Sequence, residues 1–536
     1  MPAFPDADAV VASVTTALER DDAEGARAAL YPDALALAFA DGTGFRQFIT
    51  GLPETFWHDD IAIVGALGQS FRAAGSPPGS AALAYFAAGE KAVRKAARPV
   101  DACHHVGLLI GHAAALRTQG RLQDAIAKLT DAGRLLDDDT HGPGFVEHSA
   151  RHAFELGVAE LMTGKLDSAR HRLEYAVGLA DSHLTLHERV EAMGALALAA
   201  YSQGDLAETD RMLGAISGLG APDSVTRSGF AAPGLAADIL VATDRYELDR
   251  VSELSESMLA ASVHTEWEPL ANVVGAYTRA LMREPIPALE LLHRAHQQYL
   301  QWKPAGIGLD IGELLRADIL SSLDRGDEAF EILSRLNPHE RHALCPERFM
   351  ARIALQHGDL RGADLALQDC ELLGAGHSPR TLIDVQLLRA AIEMERGELR
   401  RSDVSFDRAM HAMITTRVRS PFRHVPPVLL SKLAERGLTR AQTEEGARIL
   451  NRVVEATDGH EDDRDPLSER ERMVLIHVQR GLTVAQIAAE LYISPNTVKT
   501  HLRRLYSKLG VSTREEAIRK ARSLGLHLGP GQEFTR

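Results

Sequence analysis

Apolar residues recur at helical spacing through the first 455 or so positions, and one phrase keeps returning. A helix ends, a short turn carries a glycine and a charged residue, a large apolar residue follows, and a second helix containing alanine begins. The phrase reads QGRLQDAIAKL from Gln119, TGKLDSARHRL from Thr163, QGDLAETDRML from Gln203, HGDLRGADLAL from His357 and RGELRRSDVSF from Arg396. Weaker copies start at Thr243, Arg283 and Asp324. The turn glycines Gly120, Gly164 and Gly204 are 44 and 40 residues apart, and Gly358 and Gly397 are 39 apart. Paired helices at a period near 40 predict an α-solenoid, in which hairpins too small to bury their own apolar faces stack and share one core. Glycine ends the first helix because it takes a positive φ cheaply. The apolar residue after it packs into the turn, and the alanine lets the two helices approach.

The expected fold is therefore all-α. Residues 1–100 are less regular and are read as the first hairpins, one of them turning at Asp21-Asp22. A loop is expected in the region 40–80, which is rich in Gly and Pro and includes Gly75–Ser80. Residues 101–456 form the tetratricopeptide-like solenoid. The acidic, turn-prone stretch 457–465 is read as a solvated linker, and 466–530 as a separate small domain.

That last segment predicts four helices. Ser468 and Glu471 have capping-box spacing, and Val474, Leu475 and Val478 give the first helix an apolar face that Gly481 ends. Thr483 caps a short second helix carrying Ile487, Ala488 and Leu491. Ser494 caps a third, with Pro495 at its first position. In this third helix Val498, Leu502, Leu505 and Leu509 make one apolar stripe. Asn496, Lys499, Thr500, Arg503 and Ser507 fall on the opposite face, flanked by Thr497, His501, Arg504 and Lys508. A short helix with a core stripe and a polar, basic outer face suits the major groove of DNA. Lys499 and Arg503, one turn apart, have the chemistry to read guanines, and Thr500 a thymine methyl. Thr497, His501, Arg504 and Lys508 are expected at phosphates, with the helix N-terminus at Ser494 facing another.

These residues resemble the LuxR-type helix-turn-helix family. The likeness covers about 55 residues. It is carried by Leu467, Glu469-Arg470-Glu471, Gly481, Ile487-Ala488, Leu491, Ile493-Ser494, Thr497-Val498-Lys499, His501 and Lys508-Leu509-Gly510-Val511. The resemblance implies base reading by Lys499, Thr500 and Arg503, and dimerisation through a fourth helix, Thr513 to Leu524. It also implies activation of transcription with RNA polymerase as a partner. The rest of the chain resembles the helical-repeat portion of the large ATP-binding LuxR-type regulators. It lacks their GxxxxGK[ST] loop, so no ATPase and no cofactor are expected. No alternation of strands and helices suggests a receiver domain.

Charge sharpens the division. Residues 466–536 hold twelve Lys and Arg against six acids, so of a total of −15 the rest of the chain carries −21. An acidic body repels DNA and leaves the basic tail as the contact. The three cysteines, Cys103, Cys345 and Cys370, are widely separated in sequence, which argues against a disulfide framework or a zinc site and fits a reducing cytoplasm. The first residues lack a basic region followed by an apolar run, so no signal peptide is expected. No apolar stretch approaches a membrane span.

His183 and His187 lie at i, i+4 beside Glu188 but have no third ligand nearby, and a helix surface is the expected setting. His339-Glu-Arg-His342 has the wrong spacing for a zinc helix, and Cys103-His104-His105 reads as ordinary helix. Trp267 and Trp302 fall in consecutive repeats and either pack or line a groove. No nucleophile motif occurs, so an enzyme is not expected. The expected function is a sequence-specific DNA-binding regulator, dimeric on DNA, whose solenoid senses a ligand or protein. The rival reading is a protein-binding scaffold whose DNA-binding tail a partner controls.

Overall fold

In the computed structural model, residues 6–523 are described except for 74–80, 97–99, 138–143, 324, 337–344, 357, 374–377, 463–468, 492, 494 and 510. Every regular element among the described residues is helical. Among the described residues from Ala102 to Asp462 the longer helices pair into nine consecutive hairpins, beginning with Ala102–Arg117 and Leu122–Asp137 and ending with Pro427–Leu438 and Glu444–Asp462.

Each repeated phrase forms a hairpin corner. At the first, Arg121 N donates to Leu116 O (3.0 Å) and Gly120 N to Arg117 O (2.9 Å), with Gly120 at φ +69°. This paired hydrogen bonding satisfies carbonyls that a helix end leaves orphaned. Gly164, Gly204, Gly358 and Gly397 also have positive φ. In two weaker copies a non-glycine takes the same conformation: Tyr246 at φ 59° and Arg283 at φ 61°. The small residue three places after the corner leucine is fully buried in every strong copy: Ala125, Ala169, Thr209, Ala363 and Ser402. Where that residue is polar, its hydroxyl donates to the facing helix, Thr209 to Ala197 O (3.4 Å) and Ser402 to Ala390 O (2.8 Å).

The array curls until distant corners touch. Lys303 N donates to Gly120 O (2.9 Å), and Gln123 N to Lys303 O (3.1 Å). A β-carbon on Gly120 would enter the Trp302 ring, and one on Gly204 would strike Pro379. Asp244, fully buried, accepts from Arg380, Ser420 and Tyr201 (Tyr201 Oη at 3.0 Å). Its carbonyl accepts from Arg419 N (3.1 Å). The curl surrounds a cavity of about 250 Å3.

The N-terminal helices dock on the start of this array. Asp22 caps Ala23–Leu30 beyond the turn at Asp21 (φ 58°), as the sequence indicated. The loop expected across 40–80 is corrected by helices Gly42–Gly51, Glu54–Trp57 and Ile61–Gln69. Asp41 and Asp60 cap two of them, and glycine serves there for packing: Gly42 abuts the Ser70 carbonyl and Gly68 the Phe86 ring. Gly75–Ser80 lies outside the described residues. Arg72 crosses to Glu155 (2.9 Å) and Glu191 (2.6 Å), and Arg117 to Glu155 (3.0 Å) and Glu266 (2.8 Å). All five side chains are nearly or fully buried, where an ion pair holds only if each charge is matched.

The last solenoid helix continues to Asp462, so much of the acidic stretch read as linker is helical. No helix of the described residues is long and apolar enough to cross a membrane.

Gly204→Ala should destabilise the chain more than Gly358→Ala. Both corners have positive φ, 82° and 75°, but only Gly204 faces a neighbour, Pro379. Strain alone should cost about 1–2 kcal/mol at either site, and displacing Pro379 a further ~1–3 kcal/mol. Thermal unfolding of the two variants measures the difference, and equal losses would remove the inter-corner contact from the account.

Candidate nucleic-acid interface

Four helices close the described chain: Glu469–Gln479, Val484–Glu490, Pro495–Leu509 and Arg514–Ser523. Their apolar side chains form clusters of their own, Val474, Val478, Ile487 and Val498 in one and Leu475, Leu505, Leu509, Ala517 and Ala521 in another. The first helix ends at Gly481, φ +83°. Thr483 opens the second with a reciprocal cap: its hydroxyl accepts from Gln486 N (3.3 Å), and the Gln486 side chain accepts from Thr483 N (2.9 Å). This is a capping box, worth about 1 kcal/mol. Thr513 caps the fourth helix, and the Glu516 carboxylate accepts from Ser512 N (2.9 Å) and Thr513 N (3.1 Å). These backbone donors pull the Glu516 pKa below its ordinary value. Arg514 donates to Val478 O (2.8 Å), tying the fourth helix to the end of the first.

The third helix thus has a fixed inner face. Val498, Leu505 and Leu509 are buried, and Leu502 is half-buried. Lys499 and Arg503 are exposed on the outer side. They sit about 6 Å apart along the axis, against ~3.4 Å per base pair. Thr497 is half-buried beside them. Ser468 and Ser494 lie outside the described residues, as do the side chains of Asn496, Thr500, Arg504, Ser507 and Lys508.

His501 corrects the reading that placed it at a phosphate. It is 4% exposed. Counted from Val498 it stands at i+3, so the helical period turns it inward with Leu502 and Leu505. The i+3 position shares the inner face with i+4 and i+7, and an imidazole fills it as readily as a place at the surface.

Elsewhere the structure rearranges several candidate sites. His187 is not on a helix surface: it is buried between Phe39 (5.9 Å) and Phe230 (5.1 Å). Burial, with the nearby Arg72 charge, pushes its pKa down to about 4. His104 sets its ring against Tyr31 at 5.1 Å, and His339 and His342 lie outside the described residues. Cys345 and Cys370, 25 residues apart, meet in space with their sulfurs 3.1 Å apart. Their mutual hydrogen bond, then burial, raises the Cys345 pKa. With Glu347 they make a group of three potential metal ligands among the described residues. No spacing motif announces this pair, because a hairpin turn brings it together. Trp267 and Trp302 both line the central cavity.

Residues 465–521 match the family of bacterial regulatory proteins called the luxR family. Over 55 residues the chain is 56% identical to a probable transcriptional regulatory protein NarL of Mycobacterium tuberculosis (strain ATCC 25618 / H37Rv), covering 10% of this chain and 26% of that protein. Over 66 residues it is 46% identical to an HTH-type transcriptional regulator MalT of Serratia proteamaculans (strain 568), covering 12% of this chain and 7% of that protein. The matches therefore span about a quarter or less of these relatives. Among solved structures, a Rap protein complexed with Competence and Sporulation Factor gives a TM-score of 0.40 at 12% identity, over 59% of this chain and 99% of that one. The Cut9-Hcn1 hetero-tetramer of the APC/C gives 0.38 at 12% identity, over 96% of each.

His501→Ala should lower the stability of the C-terminal helices by about 1–3 kcal/mol. It should leave the salt dependence of DNA binding by the folded protein unchanged. Denaturant unfolding and binding titrations at several salt concentrations separate the two. A shallower salt slope with unaltered stability would restore His501 to the phosphates.

Proposed function

We propose that this chain, whose C-terminus is a LuxR-type helix-turn-helix domain, is a sequence-specific DNA-binding transcription regulator. The observation that carries the reading is the exposed pair Lys499 and Arg503 on a helix whose other face is locked into a core. A major groove about 12 Å wide admits such a helix, and a cationic side chain at its floor forms bidentate hydrogen bonds to guanine O6 and N7. Ser494, Asn496, Thr497, Thr500, Arg504 and Lys508 complete the proposed contact face, with the backbone N–H groups of the helix start toward a phosphate. The fourth helix, Arg514–Ser523, is the proposed dimer contact, so that two copies meet two half-sites.

The solenoid is the proposed sensor. Its net negative charge keeps it off the duplex, and the cavity inside its curl offers an effector a seat. Binding there alters DNA affinity only if the effector favours one conformation or assembly state over the other. Activation through RNA polymerase, in the cytoplasm and without catalysis, is the proposed mode.

Lys499→Ala and Arg503→Ala should each cost about 1–3 kcal/mol of specific affinity and relax preference at one base position. Each should also reduce the salt slope by no more than about one charge. Selection of binding sites from random DNA by wild type and variants reads this. An unaltered selected sequence for Arg503→Ala would end the base-reading assignment.

A further inference from the structure

The cavity inside the curl has an apolar wall and one strongly charged pole. Leu161, Leu198, Leu270, Ile311, Trp267 and Trp302 belong to the wall. At the pole, Arg380 lies over the Tyr201 ring (4.2 Å) and Arg423 over the Tyr277 ring (4.7 Å). Arg380, Arg423, Asp244 and Asp318 are all near enough to act on the Tyr277 hydroxyl.

Among the described residues the charges at this pole do not balance. Arg348 pairs with Asp384, Arg380 with Asp244, and Arg352 with Asp318. Arg423 is the fourth arginine and, among the described residues, has no carboxylate to itself. It comes within 3.6 Å of the Asp318 that Arg352 already holds, and its Nε donates to His424 Nε2 (3.1 Å). Burial lowers the His424 pKa against the pull of Asp384, which favours the neutral ring that accepts from Arg423. Glu266, also on the cavity wall, is engaged by Arg117 at 2.8 Å. Arg348 and Arg380 each keep a buried Nε–H without an acceptor among the described residues. The Arg423 side chain is 25% exposed, and a half-buried cation in surplus is costly unless an anion meets it.

We propose that this cavity binds a small amphipathic monoanion, an aliphatic or aromatic body ending in a carboxylate, with the carboxylate on Arg423 and the body against Trp267 and Trp302. One surplus charge suits a carboxylate, whereas a phosphate monoester would bring a second, uncompensated one. As an effector site, it deepens the sensor reading above and rests on it. The binding chemistry stands on the cavity alone.

The test uses the full chain with decanoate and 1-naphthoate as probes and 1-decanol as the uncharged control. Two of the three tryptophans line the cavity, so intrinsic fluorescence reports occupancy. At least one carboxylate should bind, and decanoate at least about tenfold more tightly than decanol, the size of one charge-assisted hydrogen bond. Arg423→Gln should erase that preference, Arg423→Lys should keep part of it, and Ile311→Phe should weaken decanoate and decanol alike. Failure of both carboxylates to bind, equal binding of decanoate and decanol, or an intact preference in Arg423→Gln would overturn the proposal. If Arg423→Gln does not fold, Ile311→Phe decides, and undiminished binding in that variant would overturn the site. DNA retention with and without decanoate is read separately. Binding that leaves DNA affinity unchanged supports the site and overturns the sensor reading.

Discussion

A buried carboxylate ties distant hairpins of the solenoid together. Asp244 sits at the end of one hairpin helix and is matched by Ser420, 176 residues away, and by Arg380, 136 residues away. An ionised carboxylate in so dry a place is tolerated only with its hydrogen-bonding capacity filled. Its partners come from far along the chain, so the hairpins between must curl by the amount that delivers them. The glycine corners make the same demand in steric form, since Gly120 and Gly204 meet Trp302 and Pro379 with no room for a β-carbon. Charge and shape thus agree on one curvature. A repeat array whose units touch only their neighbours would leave that curvature soft.

That curvature makes the interior. With the array closed, Trp267 and Trp302, at the two ends of the hairpin made by Glu268–Leu281 and Pro285–Tyr299, face the same cavity as Arg423 from the distant turn Ser420–His424. At the other end the buried network of Arg72, Arg117, Glu155, Glu191 and Glu266 fastens the N-terminal helices to the same curl, and Trp267 donates to Glu191 (3.1 Å). An occupant of the cavity would therefore touch residues belonging to both fastenings. This is a physical route by which the proposed effector could favour one arrangement of hairpins over another.

The C-terminal helices follow a simpler logic. Their stability is local: the caps at Thr483 and Thr513, the stop at Gly481, and two small apolar clusters. Nearly all of this was legible from spacing, because a cap and a stripe are encoded within a few residues. His501 was the exception, since an imidazole can serve as a core residue or a surface one and its chemistry does not say which. The hairpin corners were equally legible at Gly120, Gly164 and Gly204. They were fainter at Tyr246 and Arg283, where a left-handed backbone is held without glycine.

Local encoding therefore settled the helices, the repeat, the basic tail and the face on which Lys499 and Arg503 stand. The helices at 42–69, the burial of His187 between two phenylalanines and the meeting of Cys345 with Cys370 were not readable in this way. Nor was the surplus arginine in the cavity. The pair Cys345 and Cys370 depends on how one hairpin folds back on itself, and the burial of His187 and the arginine cluster on distant segments arriving at one place; a periodic pattern specifies which face of a helix is apolar without specifying which other helix will cover it. That choice belongs to the curvature, which exists only once Asp244 and the glycine corners have found their distant partners.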